Sequence, residues 1–480
     1  MVTRIPDNHV RMSAYGVRAA TAGECVHLHS ETVAEGITSD SRRVASGNVF
    51  VALKGETFDG HDHVARAVAA GAHTVVVNRG RGTEFRGANV VEVSDTLRAW
   101  GALGRAHLRG WRRGRDDRRV IAITGSSGKT STKEWLAGLL SARAPTQATQ
   151  GNLNNLIGVP ATCFTVTDEH TYAVIEAGMS IPGEIAALGS YLRPDISIVT
   201  NIGLAHVAQF GSRAGIAREK GALFATTRED GTAVFNADDV AVTGELLRAR
   251  AREAQSFGQS QSATVRLVTR VLGPGGATTL RYEYAHGELV CSALPYIPEA
   301  QALNLAAGLT AYHAATREFA SAEQVVAVWS SMPKLGRGQV VRAANGTLFI
   351  DDTYNANPDS MRSALRSLVE IAAGARTVAV LGEMRELGAM SGAAHATLGV
   401  QAHAAGISEL VTLGGDAGHT AASAKECGMH TNACETLDAA YTHLSATLRS
   451  GDVVLFKASR GVAAERLLER LLERLKEGET

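Results

Sequence analysis

An apolar run, Val120-Ile-Ala-Ile-Thr124, leads straight into Gly125-Ser126-Ser127-Gly128-Lys129-Thr130, and a helical stretch follows from Ser131 to Leu140. That order constrains the chain more than any other feature. A buried strand that hands over to a helix through a glycine loop opens a parallel α/β unit, because parallel strands need crossover connections. The glycines let the backbone curl so that successive N–H groups point at an anion, and the helix adds its positive N-terminal end. A lysine then reaches the outer phosphates of a nucleoside triphosphate, and a Ser or Thr hydroxyl ligates Mg²⁺. Gly125, Ser126, Ser127, Gly128, Lys129 and Thr130 supply that set. Their spacing, G-x-x-G-K-T, is shorter than the general G-x-x-x-x-G-K-[ST] form. The strand–loop–helix context therefore carries the assignment.

At roughly 150 residues per domain, a chain of 480 residues divides into about three domains. The first, residues 1–112, holds an apolar run at Val49–Leu53, a polar turn from Gly55 to Gly60, a helical stretch from Val64 to Ala70 and a second apolar run at His73–Asn78. This reads as a small α/β domain. The segment Trp111–Arg119 is dense in charge and aperiodic, which predicts a solvated linker. The second domain, residues 113–333, continues with strands at Tyr172–Glu176, Ile196–Thr200 and Thr232–Asn236, helical patterns lying between them. A mostly parallel sheet covered by helices follows from that alternation. The third, residues 334–480, repeats the theme with strands at Leu348–Asp351, Thr377–Leu381, Glu409–Leu413 and Val453–Phe456. Its last helix carries Leu467, Leu468, Leu471, Leu472 and Leu475 as an apolar stripe that predicts core packing.

Charge excludes one broad class. Lys+Arg and Asp+Glu are both 48, so the basic excess of a nucleic-acid binder is missing. The five cysteines, Cys25, Cys163, Cys291, Cys427 and Cys434, form no C-x-x-C pair, which fits a reducing cytoplasm better than a disulfide framework. The N-terminal segment has no apolar core of a signal peptide, and no run of about 18 apolar residues predicts a membrane span. A cytoplasmic monomer of α/β class is the expectation.

Two further residues fall at predicted strand ends. Glu176 closes one strand, where a parallel sheet sets it beside the phosphate loop, and His206 follows another. By residue type alone each is equally readable as a cap or an exposed loop residue. Lys220, within Ala217-Arg-Glu-Lys220, reads by itself as an exposed helix lysine.

Taken together, Thr124–Thr130, Thr149-Gln-Gly-Asn-Leu-Asn-Asn155, Glu176-Ala-Gly178, Asn201-Ile-Gly-Leu-Ala-His206 and Lys220 resemble the Mur ligase family in order and spacing. Tyr354-Asn-Ala-Asn-Pro-Asp-Ser-Met361, Leu381-Gly-Glu-Met-Arg-Glu-Leu-Gly388 and Lys457-Ala-Ser-Arg460 resemble its MurF type. Ser39-Asp-Ser-Arg42 and Asp59-Gly-His61 resemble the uridine-nucleotide domain shared by the MurE and MurF types. The resemblance implies a small UDP-binding α/β domain, a central phosphate-loop ATPase domain and a Rossmann-like third domain. It implies ATP and Mg²⁺ as cofactors, with UDP-MurNAc-tripeptide and D-Ala-D-Ala as substrates joined through an acyl phosphate.

By the same resemblance, Thr130, Glu176, His206 and a carbamylated Lys220 hold metal. Asn304, Arg337 and Asp351 hold the nucleotide. Ser41, Arg42, Asn152, Asn154, Asn155, Tyr354, Asn355, Lys457 and Arg460 face the substrates, and Asn357 lies near the acyl phosphate. The sequence departs from the family at Ala300 and Gln301, where a His-Asn pair is usual, and at Leu156, Leu204 and Ala222. These departures leave two alternatives: an amide ligase acting on another acid and amine, and a nucleotide-binding regulator without catalysis.

Overall fold

The computed structural model describes residues 4–55, 58–273, 277–333 and 336–477. Residues 56 and 57 of the expected polar turn, and residues 334 and 335 at the expected start of the third domain, lie outside the described residues. Four sheets are present among the described residues.

The largest sheet has nine strands, with Arg119–Thr124 in its interior. Tyr172–Glu176 pairs with it in parallel on one side and Ile196–Val199 on the other. Because these strands run the same way, all three C-terminal ends open onto one edge. The strand order reverses about Arg119–Thr124, the place where open α/β sheets form a binding crevice.

Alternating side chains of that strand build two cores. Ile121 and Ile123 pack with Trp135, Leu136 and Leu139 of the helix Lys129–Ser141 on one face. Val120 and Ala122 pack with Leu108, Trp111, Ile185 and Phe224 on the other. Both faces are covered, which explains why the strands read as continuous apolar runs.

The sequence reading of a mostly parallel sheet is incomplete at one edge. Val265–Leu272, Thr278–Tyr284 and Gly287–Leu294 pair antiparallel and extend the sheet. Their inward positions, such as Val265 and Leu267, alternate with polar ones, the period-2 signature of a half-buried strand.

A five-stranded sheet lies in the first part of the chain, with Val49–Val51 and Thr74–Asn78 parallel neighbours. In the last part, a six-stranded sheet is parallel except for the edge strand Gln339–Arg342. Leu467, Leu468 and Leu471 of the final helix are buried against that sheet, as the apolar stripe predicts.

The charged segment Trp111–Arg119 differs from the linker expected. Residues 113–117 are exposed, but both flanks are fixed. Helix Thr96–Arg112 carries Trp111, which is buried, and Arg112 pairs with Asp195 at 3.3 Å. Arg118 is also buried: it donates to Asp168 Oδ1 at 3.0 Å and to the carbonyl of Trp111, with its guanidinium over the Trp111 ring. Arg112 and Arg118 are internal ties to carboxylates far along the chain. Among the described residues, no helix is long and apolar enough to cross a membrane.

Candidate active site

The phosphate loop is built by two glycines that no other residue replaces. Gly125 has φ +153°, and a Cβ there would stand 1.8 Å from Thr200 Oγ1. Gly128 has φ +79°, and a Cβ would stand 2.3 Å from Asn304 Oδ1. The loop is braced by the segment after the neighbouring strand. Asn201 accepts from Ser126 N through its carbonyl and from Ser127 N through Oδ1, both at 3.0 Å. Ser126 Oγ accepts from Gly203 N at 2.8 Å. Helix Lys129–Ser141 begins at Gly128 with no capping side chain, so the N–H groups of its first turn are not taken by one.

Lys129 Nζ donates to the carbonyl of Gly125 at 2.8 Å. Burial lowers its pKa, and the nearby carboxylate of Glu176 opposes that shift. Thr130 Oγ1 donates to Glu176 Oε2 at 2.7 Å, and Asn154 Nδ2 donates to Glu176 Oε1 at 2.8 Å. Glu176 is only 2% exposed, with its amide held by Thr149 Oγ1. Asn154 therefore positions a carboxylate, while Asn155 spends its side-chain oxygen on the amides of Ile157 and Gly158.

Lys220 corrects the reading taken from its residue type. It is 1% exposed, and burial, with Lys129 close by, holds its amine well below the usual lysine pKa. His206 adopts φ +65°, and its Nδ1 lies 2.7 Å from Glu386 Oε2. Glu386 comes from the loop after the strand Thr377–Gly382, so this pair joins the central sheet to the last one.

These residues line one cavity of about 900 Å³. Ser126, Ser127, Gly128, Lys129, Thr130, Asn152, Asn154, Asn155, Glu176, His206 and Lys220 form its central side. Asn304, Arg337, Tyr354, Asn355, Asn357, Lys457 and Arg460 also line it. The guanidiniums of Arg337 and Arg460 lie 3.8 and 5.4 Å from the Tyr354 ring centroid. Asn357 doubles as the N-cap of helix Pro358–Ala372, its Oδ1 accepting from Ser360 N at 2.9 Å. Asn355 offers its carbonyl to the buried Lys457 Nζ at 3.0 Å.

Asp351 is placed otherwise than expected. Its carboxylate accepts from Thr353 Oγ1 at 2.7 Å, and the residue does not line the cavity. Asp352 does, and it accepts from Lys457 Nζ at 2.6 Å. Along the strand Leu348–Asp352, successive side chains alternate faces, so Asp352 shares the cavity face with Ile350. The alternation of Ile350 and Asp352 is the signal that sequence reasoning passed over. Glu386 lies within the Leu381–Gly388 motif, but nothing in the sequence pairs it with His206.

Ser41 and Arg42 lie outside this cavity, beside the five-stranded sheet. Ser41 is buried and accepts from Arg66, whereas Arg42 is exposed. Two hydrogen bonds from Arg42 hold the Asp40 carboxyl down at about 2. His61 is an internal brace, bonded to Asp59 at 2.6 Å and to the amide of Asn78 at 2.9 Å.

Do these residues fit a magnesium nucleotide? Among the described residues, no group of three or more His, Cys, Asp or Glu is arranged to hold a metal ion. Mg²⁺ does not need one, since it takes one or two carboxylates and completes its shell with phosphates and water. The Thr130 hydroxyl and Glu176 carboxylate are hard oxygen donors already in contact. At the other end, Gln301 donates to Ser131 Oγ at 3.0 Å, while its buried Oε1 has no partner in the cavity wall. Such an acceptor suits the exocyclic amine of a base. The donor set fits.

Comparison with known proteins gives the same direction. The description "Mur ligase middle domain" matches residues 123–312, "Mur ligase, glutamate ligase domain" residues 336–460, and "Mur ligase family, catalytic domain" residues 33–106. The chain is 35% identical to the UDP-N-acetylmuramoyl-tripeptide--D-alanyl-D-alanine ligase of Escherichia coli, over 92% of this chain and 94% of that one. The crystal structure of MurF from Acinetobacter baumannii superposes with a TM-score of 0.86 at 32% identity, covering 97% of this chain and 100% of that one. The MurF ligase of Thermotoga maritima in complex with ADP gives 0.81 at 28% identity, over 92% and 98%. By sequence, by architecture and by the residues gathered around its phosphate loop, this chain belongs to the Mur ligase family, within its MurF type.

Proposed function

We propose that this chain joins D-alanyl-D-alanine to a UDP-N-acetylmuramoyl-tripeptide, using ATP and forming an amide, ADP and phosphate, as a step of peptidoglycan precursor synthesis. One observation carries the reading most strongly: the phosphate loop, the Thr130–Glu176 pair and the Tyr354–Asn357 and Lys457–Arg460 segments line a single cavity. Its volume suits a nucleotide together with part of a second substrate.

Phosphoryl transfer to a carboxylate brings two anions together, so its catalysis is mostly positioning and charge stabilisation. Lys129 and the first turn of its helix hold the phosphates. Thr130, Glu176, His206 and Lys220 hold Mg²⁺, which supplies charge neutralisation between phosphate and carboxylate. Lys220 is assigned as a carbamate: burial, with Lys129 close by, lowers the pKa of its amine, which supports it as the nucleophile that takes up CO₂. Asn304, Gln301 and Arg337 hold the nucleotide, with Asp352 replacing Asp351 in that role. Asn152, Asn154, Asn155, Tyr354, Asn355, Asn357, Lys457 and Arg460 face the acyl phosphate and the incoming amine, and Ser41 and Arg42 face the uridine nucleotide.

The domain scheme follows: residues 1–112 for the UDP-linked substrate, 113–333 as the phosphate-loop domain and 334–480 as a Rossmann-like domain for the dipeptide. A cytoplasmic monomer completes the reading, supported by five free cysteines and a charge balance without a nucleic-acid footprint. The test is substrate dependence. Phosphate release from ATP should require both the tripeptide nucleotide and the dipeptide. Release with a different acid and amine pair, and none with these two, would refute the substrates and leave the ligase chemistry standing.

A further inference from the structure

We infer that Glu386 is a positioning residue for His206, and that docking of the last sheet's domain thereby completes the metal site. The inference rests on the reading of His206 as a metal ligand. Glu386 Oε2 and His206 Nδ1 are 2.7 Å apart, and the pair crosses from one domain to the other. An imidazole that binds a cation through one nitrogen presents the other as an N–H donor, and a carboxylate there fixes both tautomer and ring orientation. With Nδ1–H given to Glu386, Nε2 keeps its lone pair for the metal.

The backbone is arranged for this contact on both sides. His206 has φ +65° and Glu386 φ +68°, conformations that persist for non-glycine residues where their surroundings over-determine them. On the Glu386 side, Arg385 N donates to Ser459 Oγ at 2.9 Å, Ser459 N to the Glu383 carbonyl at 3.0 Å, and Met384 N to the buried His395 Nε2 at 2.9 Å. The loop also docks directly. Gly388 lies so close to Ala208 that a Cβ at Gly388 would stand 2.7 Å from the alanine Cβ. Two residues after each member of the ion pair, the two segments touch again. When the domains separate, Glu386 leaves and the His206 ring loses its orientation. Metal affinity and domain docking are therefore linked, and linkage is reciprocal: metal at His206 favours the docked arrangement.

The experiment titrates Mn²⁺ onto the full-length protein holding a non-hydrolysable ATP analogue. Free Mn²⁺ is counted by electron paramagnetic resonance, and bound imidazole is detected by its ¹⁴N coupling. Glu386→Gln should weaken the bound Mn²⁺ that shows the ¹⁴N coupling about 10- to 100-fold and diminish that coupling. Gly388→Ala, which keeps the Glu386 side chain but obstructs docking, should weaken the same ion in the same direction. If His206→Ala abolishes the ¹⁴N coupling while Glu386→Gln and Gly388→Ala bind Mn²⁺ as the wild type does, the inference is overturned and the ligand reading survives. If His206→Ala itself leaves affinity and coupling intact, the ligand reading fails and takes the inference with it.

Discussion

On the central side of the cavity, Thr130, Glu176, Asn154 and Asn201 are held by each other and by adjoining strands of one sheet. On the facing side, Tyr354, Asn357, Glu386, Lys457 and Arg460 come from the ends of a different sheet. That second group meets the first through contacts between domains: His206 with Glu386 at 2.7 Å, and Arg270 and Tyr296 with Glu370 at 2.8 and 3.0 Å. Apart from His206, the central wall is held from within, so phosphate binding is prebuilt. The facing wall is ordered by its own bonds, such as Lys457 with Asp352, but meets the central wall only by docking, which suits a reaction whose second step awaits another substrate. In the proposed reaction, the first wall would activate the acid and the second would admit the amine.

Substitutions separate the two walls. Lys129→Ala should lower kcat on the order of 10²–10³-fold while the protein keeps its far-ultraviolet circular dichroism, since one prebuilt cationic donor is lost where charge develops. Near-normal turnover would break the assignment of the central wall. Asp352→Asn should lower kcat/KM about 10- to 100-fold, one charge-assisted hydrogen bond to Lys457 being removed. Asp351→Asn should cost far less, because its carboxylate serves Thr353; steady-state kinetics showing the reverse order would restore the residue expected from the sequence.

The smallest effect tests docking alone. Glu370→Ala removes a partner of Arg270 and Tyr296 outside the catalytic groups and should raise KM for the dipeptide by less than about fivefold, with ATP affinity unchanged. An equal loss of ATP affinity, read by calorimetry, would show that the walls are not separable.

The same contrast explains what the sequence discloses. Val120–Thr124 and its parallel neighbours are buried on both faces, and apolar runs of that kind are legible without a structure. The phosphate loop is legible because φ above zero at Gly125 and Gly128 demands glycine. Val265–Leu294 was harder: its strands alternate apolar with charged residues, and no glycine-loop signal punctuates them as βα units. Lys220 is indistinguishable by type from a surface lysine, yet the fold buries it. Arg112 and Arg118 look like solvated charge because Asp195 and Asp168 are remote in sequence. The Leu381–Gly388 motif contains Glu386, but its pairing with His206 is illegible for the same reason, the partner lying in another domain. What stays hidden is pairing between distant segments, and the docked wall is made of little else.

In the proposed reaction, ATP activates the acid as an acyl phosphate before the amine attacks. The most direct measurement uses UDP-MurNAc-tripeptide carrying ¹⁸O in its terminal carboxylate, turned over with ATP and D-Ala-D-Ala, with the released phosphate read by ³¹P NMR. The account predicts one ¹⁸O in each phosphate, because the carboxylate oxygen that accepts the phosphoryl group leaves with it. Amide formed alongside phosphate free of ¹⁸O would contradict it.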